Sequence, residues 1–176
     1  MPRNNTTTTY VVGDVRDRLD DRLDELADRA VHDSEAAVAE EASTVEQRLV
    51  GVQWLVDEFG AEAEVTIGGL NTGEYGQLTD RVSDAQAAKV GGSESTTGAS
   101  RIFFVAFGLV DAPFVDADTD FEATVREVRE LPPQTTQWLE HVIDEATVPS
   151  DPGNSFSERV QARSRSGNAT ESPEQH

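Results

Sequence analysis

The chain has 176 residues, with 14 Lys plus Arg against 34 Asp plus Glu, a formal net charge of −20, and no cysteine. The missing cysteine excludes a disulfide scaffold, a cysteine-ligated zinc or iron–sulfur centre and a thiol nucleophile. The charge argues against unaided nucleic-acid binding, because that affinity comes mainly from Lys and Arg on phosphates. No apolar run approaches the ~20 residues of a membrane span and no secretory segment stands out, so the expectation is a soluble intracellular domain with no membrane partner.

Lys89 is the only lysine among the 14 basic residues, and the acids are spread along the chain rather than gathered in one tail. Such a surface repels itself in dilute salt. At molar salt the Debye length falls to about 3 Å and the repulsion is screened. Many acids, almost no lysine and few large aliphatics resemble the proteins of salt-in halophiles, above all haloarchaea.

Residues 1–10 open with the polar run MPRNNTTTT and have no apolar period. They read as a disordered terminus. Residues 11–60 read as a long amphipathic helical arm. Val12, Leu19, Leu23, Leu26 and Ala30 recur at three- and four-residue steps, and a second series runs Val31, Val38, Ala42, Val45, Leu49, Val52, Val56, Phe59. The two series are offset near residue 31, so the arm either turns its face or breaks there. It is a helical hairpin or a coiled-coil-like partner surface. Asp14–Arg18 and Glu25–Arg29 have the spacing of helical ion pairs, each worth a few tenths of a kcal/mol.

Gly60 suits a helix end. Glu62 to Ile67 alternates polar and apolar, a short strand closed by Gly68-Gly69. Asn71 or Thr72 caps a helix over 73–90, with Glu74 in its first turn and Tyr75, Leu78, Val82 and Ala85 on one face. Residues 91–100 (GGSESTTGAS) have loop composition. The most apolar run, Ile102 to Val110, is a buried strand or a buried helix; length does not separate them. Asp111-Ala112-Pro113 stops it. A helix over 121–131 follows, with Asp120 near its cap, then Pro132-Pro133 and a last helix over 134–146. Residues 148–176 are rich in Ser, Pro, Gly, Asn and charge and read as a disordered tail. With one short strand in view, any sheet is small or completed by a partner.

Catalysis needs a nucleophile, an acid–base pair or a metal within mutual reach. His32 and His141 sit in helices beside acids with no second His at i+4, and His176 is in the tail. They read as solvated histidines. Gly68-Gly69 and Gly91-Gly92 have neither Lys-Ser/Thr nor GxGxxG spacing. Asp116-x-Asp118-x-Asp120 faintly follows a calcium loop but lacks its glycine at position six and glutamate at position twelve. The expectation is no enzyme, no metal and no cofactor. What remains is apolar surface: Phe103, Phe104, Phe107, Leu109, Phe114, Trp138, Leu139 and Val142 are core or partner-binding residues, undivided by sequence, with Phe59 added to the core side.

The run Phe103-Phe104-Val105-Ala106-Phe107-Gly108-Leu109-Val110-Asp111-Ala112-Pro113-Phe114 resembles the apolar–Gly-Leu/Ile-Val-acid-(Ala/Pro)-Pro segment of tail assembly chaperones from tailed viruses. In that family an acidic helix and a Leu-Pro step into a final amphipathic helix follow. Here those are Phe121 to Glu130, Leu131-Pro132-Pro133 and Gln137 to Ile143. Upstream, Val65 to Tyr75 is similar to the family's strand–turn–helix opening. The likeness covers residues 62–147, and the 12–59 arm departs from the family's short forms. The resemblance implies a non-enzymatic protein of a haloarchaeal long-tailed virus. It would act in the host cytoplasm during virion assembly and be absent from the mature particle. Its partners would be the tape measure protein, the tail tube protein and possible self-association. The fold expected is mainly α: a compact helical domain over 61–147 with at most a small β element, preceded by the arm. Two other readings stand beside it, a structural virion protein (head–tail connector or minor tail protein) and a cellular haloarchaeal coiled-coil adaptor.

Overall fold

The computed structural model describes residues 7–32, 36–88, 96–115 and 119–147. It is mainly α with one small sheet. In chain order the described elements are β1 (Thr7–Val11), α1 (Val12–His32), α2 (Ala36–Phe59), β2 (Glu64–Gly68), α3 (Thr72–Ala88), α4 (Thr96–Gly108), β3 (Leu109–Asp111), α5 (Phe121–Glu130) and α6 (Pro133–Thr147).

The sheet has the order β1-β2-β3, with both neighbours antiparallel to β2. Thr7 faces Gly68 and Val11 faces Glu64 in register, while the β2–β3 pairing shifts between Thr66 and Ile67. Strand alternation sends Val65 and Ile67 into the core. On the outer face the Thr9 and Thr66 hydroxyls meet at 2.8 Å. Residues 7–10 therefore correct the expectation of a disordered terminus through residue 10. A Thr run carries no apolar alternation, yet β-branched side chains suit an edge strand that β2 completes.

The chain passes from β1 into α1 without a loop. Val12 and Gly13 donate backbone bonds to Ala63 and Ala61, each at 2.9 Å, which ties the start of α1 to the entry of β2. The arm is a hairpin: α1 and α2 pack along each other. Leu26, Val38 and Val45 form a small buried cluster between them, flanked by Leu19, Leu23 and Ala42. Arg22 bonds Glu25 and reaches Glu41 across the hairpin, and Arg29 lies 3.7 Å from Glu41. In place of the expected Glu25–Arg29 pair, Glu25 takes Arg22 of its own helix and Arg29 turns toward Glu41 across the hairpin, and Arg18 donates to the Asp14 carbonyl rather than its carboxylate. Gly60 ends α2 at φ +90°, a conformation that glycine adopts without steric cost.

Capping explains the remaining helices. Asn71 and Glu74 form a reciprocal box at α3, Oδ1 accepting from the Glu74 N–H at 3.0 Å and Oε2 from the Asn71 N–H at 2.9 Å. Asp120 accepts from the Ala123 N–H at 2.8 Å at α5, and Pro133 occupies the first turn of α6. The apolar run proves to be both of the open choices: helix α4 to Gly108, then strand β3 from Leu109. Residues 96–100, expected as loop, begin α4, because Ala99 and Ile102 pack on the core and tertiary burial overrides the Ser/Thr/Gly composition. The expected tail 148–176, the first half (91–95) of the expected loop, and Asp116 and Asp118 lie outside the described residues.

One core spans what the sequence reading separates at residue 60. Val12, Val15, Val52 and Leu55 from the hairpin's base join Val65, Ile67, Phe103, Phe107, Val125, Trp138, Leu139 and Ile143. α2 and α6 approach each other closely at Gly51. A Cβ on Gly51 would strike the Gln134 carbonyl oxygen, lie 2.5 Å from the Gln134 carbonyl carbon and 2.6 Å from the Thr135 nitrogen. The buried Thr135 hydroxyl donates to the Gly51 carbonyl at 2.9 Å.

Candidate partner-binding surface

The structure divides the eight candidate residues. Phe103, Phe107, Leu109, Trp138, Leu139 and Val142 are buried in the common core. Phe107 packs on Phe121 with ring centroids 4.4 Å apart, and Tyr10 meets the Trp138 ring edge-on at 6.0 Å. Burial raises the Tyr10 phenol above its ordinary value, Glu145 adding to the shift and Arg18 opposing it. Phe104 and Phe114 are only partly buried at the margin of the core.

Phe114 leads to a surface that sequence reasoning did not assemble. Phe59, expected in the core, is 37% exposed at the end of α2. It lies 6.3 Å from Phe114 on one side and 5.9 Å from Trp54 on the other. One turn back along α2, Val50 is 52% exposed. Leu49, Val50, Gln53 and Trp54 line an open groove of about 630 Å³ whose opposite wall is Arg16 and Asp20 of α1, with Asp57 at its end. Gln53 donates to Asp57 at 2.7 Å and Arg16 is held by Asp17, so the groove has an apolar floor and a polar rim made of Arg16, Asp20, Gln53 and Asp57. An aromatic row with polar edges is the surface an amphipathic helix requires. The sequence signal was there in part: Val50 and Trp54 fall off the Val45–Leu49–Val52–Val56 series, so α2 carries apolar side chains on more than its core face.

Two other concavities flank the hairpin. Leu23, Ala27, Ala30, Val38, Ala39 and Ala42 line a shallow groove toward its tip. Between α2 and α6, Ser43, Thr44, Gln47, Arg48, Gln137, Glu140 and His141 line a smaller polar one. There Glu140 is taken by Arg101 at 2.6 Å, and His141 Nε2 lies 3.5 Å from Glu145. Partial burial, then the Arg48 guanidinium, hold the His141 imidazole below its ordinary value, against the upward pull of Glu145 and Asp144. At the hairpin, the Arg22 bond holds the Glu41 carboxyl low.

Among the described residues no group of three or more His, Asp or Glu side chains is placed to hold a metal ion, and no helix is long and apolar enough to cross a membrane. No family model, curated protein or solved structure matches the chain.

Proposed function

We propose that the chain is a tail assembly chaperone of a long-tailed haloarchaeal virus. It binds the tape measure protein, keeps that long helical partner soluble, helps recruit tail tube subunits, and leaves before the particle is complete. The observation that carries the proposal is the row Val50–Trp54–Phe59–Phe114, of which Val50 and Phe59 are exposed and Trp54 and Phe114 half-buried, beside a polar-rimmed groove. A row of this kind seats the apolar face of one helix. The acidic exterior keeps the complex dispersed. The order of elements across residues 62–147 supports the family reading: strand, capped helix, apolar helix ending at Gly108, the short strand Leu109–Asp111 with Ala112-Pro113 after it, acidic helix, Leu-Pro-Pro and final helix. The cellular-adaptor reading rests on the arm at 12–59.

The test is co-expression with the tape measure protein. Wild-type protein keeps the partner in the soluble fraction. Val50→Asp, on a side chain already half in solvent, leaves the fold intact and releases the partner to the pellet. Equal rescue by wild type and Val50→Asp removes the groove from the account. No rescue by wild type removes the chaperone reading.

A further inference from the structure

We propose that, in the protein without its partner, the groove between α1 and α2 is occupied by this chain's own segment 155–165. The proposal rests on the groove being a docking surface and not on the partner's identity. Its first basis is charge. The chain is at −20, yet residues 159–165 (RVQARSR) carry Arg159, Arg163 and Arg165 with no acid among them. No other seven-residue window has three basic residues and no acid. With Glu158 counted, residues 155–165 sum to 3 − 1 = +2.

The second basis is pattern. Phe156 and Val160 are four apart, the spacing that puts two apolar side chains on one face of a helix, and Arg159 and Arg163 follow them at the same spacing. The groove offers Leu49, Val50 and Trp54 for the apolar pair and Asp20 and Asp57 for the guanidinium groups, while Arg16 on the same wall is paired with Asp17. Guanidinium–carboxylate contact pairs are charge-assisted, and molar salt weakens them, so the apolar pair carries the larger share of docking at high salt. The third basis is reach. The eight residues 148–155 separate Thr147, the end of α6, from Phe156 and extend to at most about 26–29 Å. Whether the tether serves a groove on its own molecule or on a neighbouring copy is read from the protein-concentration dependence below. A partner helix entering the groove then has to displace the segment, which sets a threshold against weak apolar binders.

Acrylamide quenching of tryptophan fluorescence in the full chain tests this. Trp138 is 2% exposed and contributes little, so the quenching reports on Trp54 in the groove. Phe156→Ser and the triple variant Arg159→Gln/Arg163→Gln/Arg165→Gln are each expected to raise the Stern–Volmer constant about twofold, as when a well-populated docked state is emptied. Glu174→Gln leaves it unchanged. A synthetic peptide of residues 154–166 added to the triple variant restores protection saturably. Protection that grows with protein concentration, together with a sedimenting dimer, places the segment on a neighbouring copy; concentration-independent protection places it on the same molecule. Either supports the segment as occupant. Constants unchanged in both variants, or a peptide that gives no protection, overturn it. Failure of the partner to co-purify leaves these outcomes untouched, and unchanged quenching with partner rescue intact sinks only the segment.

Discussion

Gly51→Ala probes the contact on which the union of hairpin and domain depends. The new Cβ would lie 2.5 Å from the Gln134 carbonyl carbon and 2.6 Å from the Thr135 nitrogen, where an ordinary contact begins near 3.4 Å. Relief needs 3.4 − 2.5 = about 0.9 Å of separation between α2 and α6, and the obstructing atoms are backbone, so no rotamer change supplies it. Overpacking of this kind costs about 1–3 kcal/mol. Separation also stretches the buried Thr135–Gly51 bond, whose loss leaves a buried hydroxyl and costs about 1–3 kcal/mol more. Against this stands the roughly 1 kcal/mol by which alanine favours a helix over glycine. The net loss is about 1–5 kcal/mol. Gly76→Ala is the control: it lies in α3 with nothing within 4 Å of a built Cβ, and it should gain about 0.4–1 kcal/mol from the unfolded state alone. Denaturant unfolding of the three proteins in one salt buffer measures both. A Gly51→Ala protein as stable as wild type would refute the packing of α2 on α6 described above.

Phe107→Ala removes a buried ring stacked on Phe121 and should cost about 3–5 kcal/mol; a near-native denaturation midpoint would remove that residue from the core. Asp120→Ala deletes the α5 cap and should cost about 1 kcal/mol, measured as a midpoint shift with unchanged slope. His141 makes stability depend on pH. Its folded-state value is depressed, so the unfolded chain takes up a proton first as pH falls. The stability it contributes is full above the ordinary imidazole value of about 6.5 and is lost as pH drops from there through the folded value. His141→Gln should flatten the midpoint-against-pH curve in that window, and an unaltered curve would show that another group sets it.

Much of the fold was legible where local chemistry and burial agree. Asp120 and Pro132-Pro133 placed the boundaries of α5 and α6, and the 31-region phase offset marked the hairpin's break. β1 was missed because Thr7 to Thr9 show no alternation; its partner strand lies more than fifty residues away, so only the folded chain reveals the pairing. α4 began earlier than read because helix-poor residues there are held by packing. The candidate site was less legible. A continuous apolar run looks the same whether it fills a core or a groove, and most of the run 103–109 went to the core. The exposed row is assembled from α2 and the segment after β3, a juxtaposition of Phe59 with Phe114 that no local pattern encodes.

The most direct test is a pull-down of the tagged full chain from infected-cell lysate at about 2–3 M KCl, where long-range charge attraction is screened, read by mass spectrometry. The account predicts that a very long helical protein and a tail tube subunit come down with wild type and are lost with Val50→Asp. Recovery of capsid or portal components alone, or of host proteins alone, would contradict it.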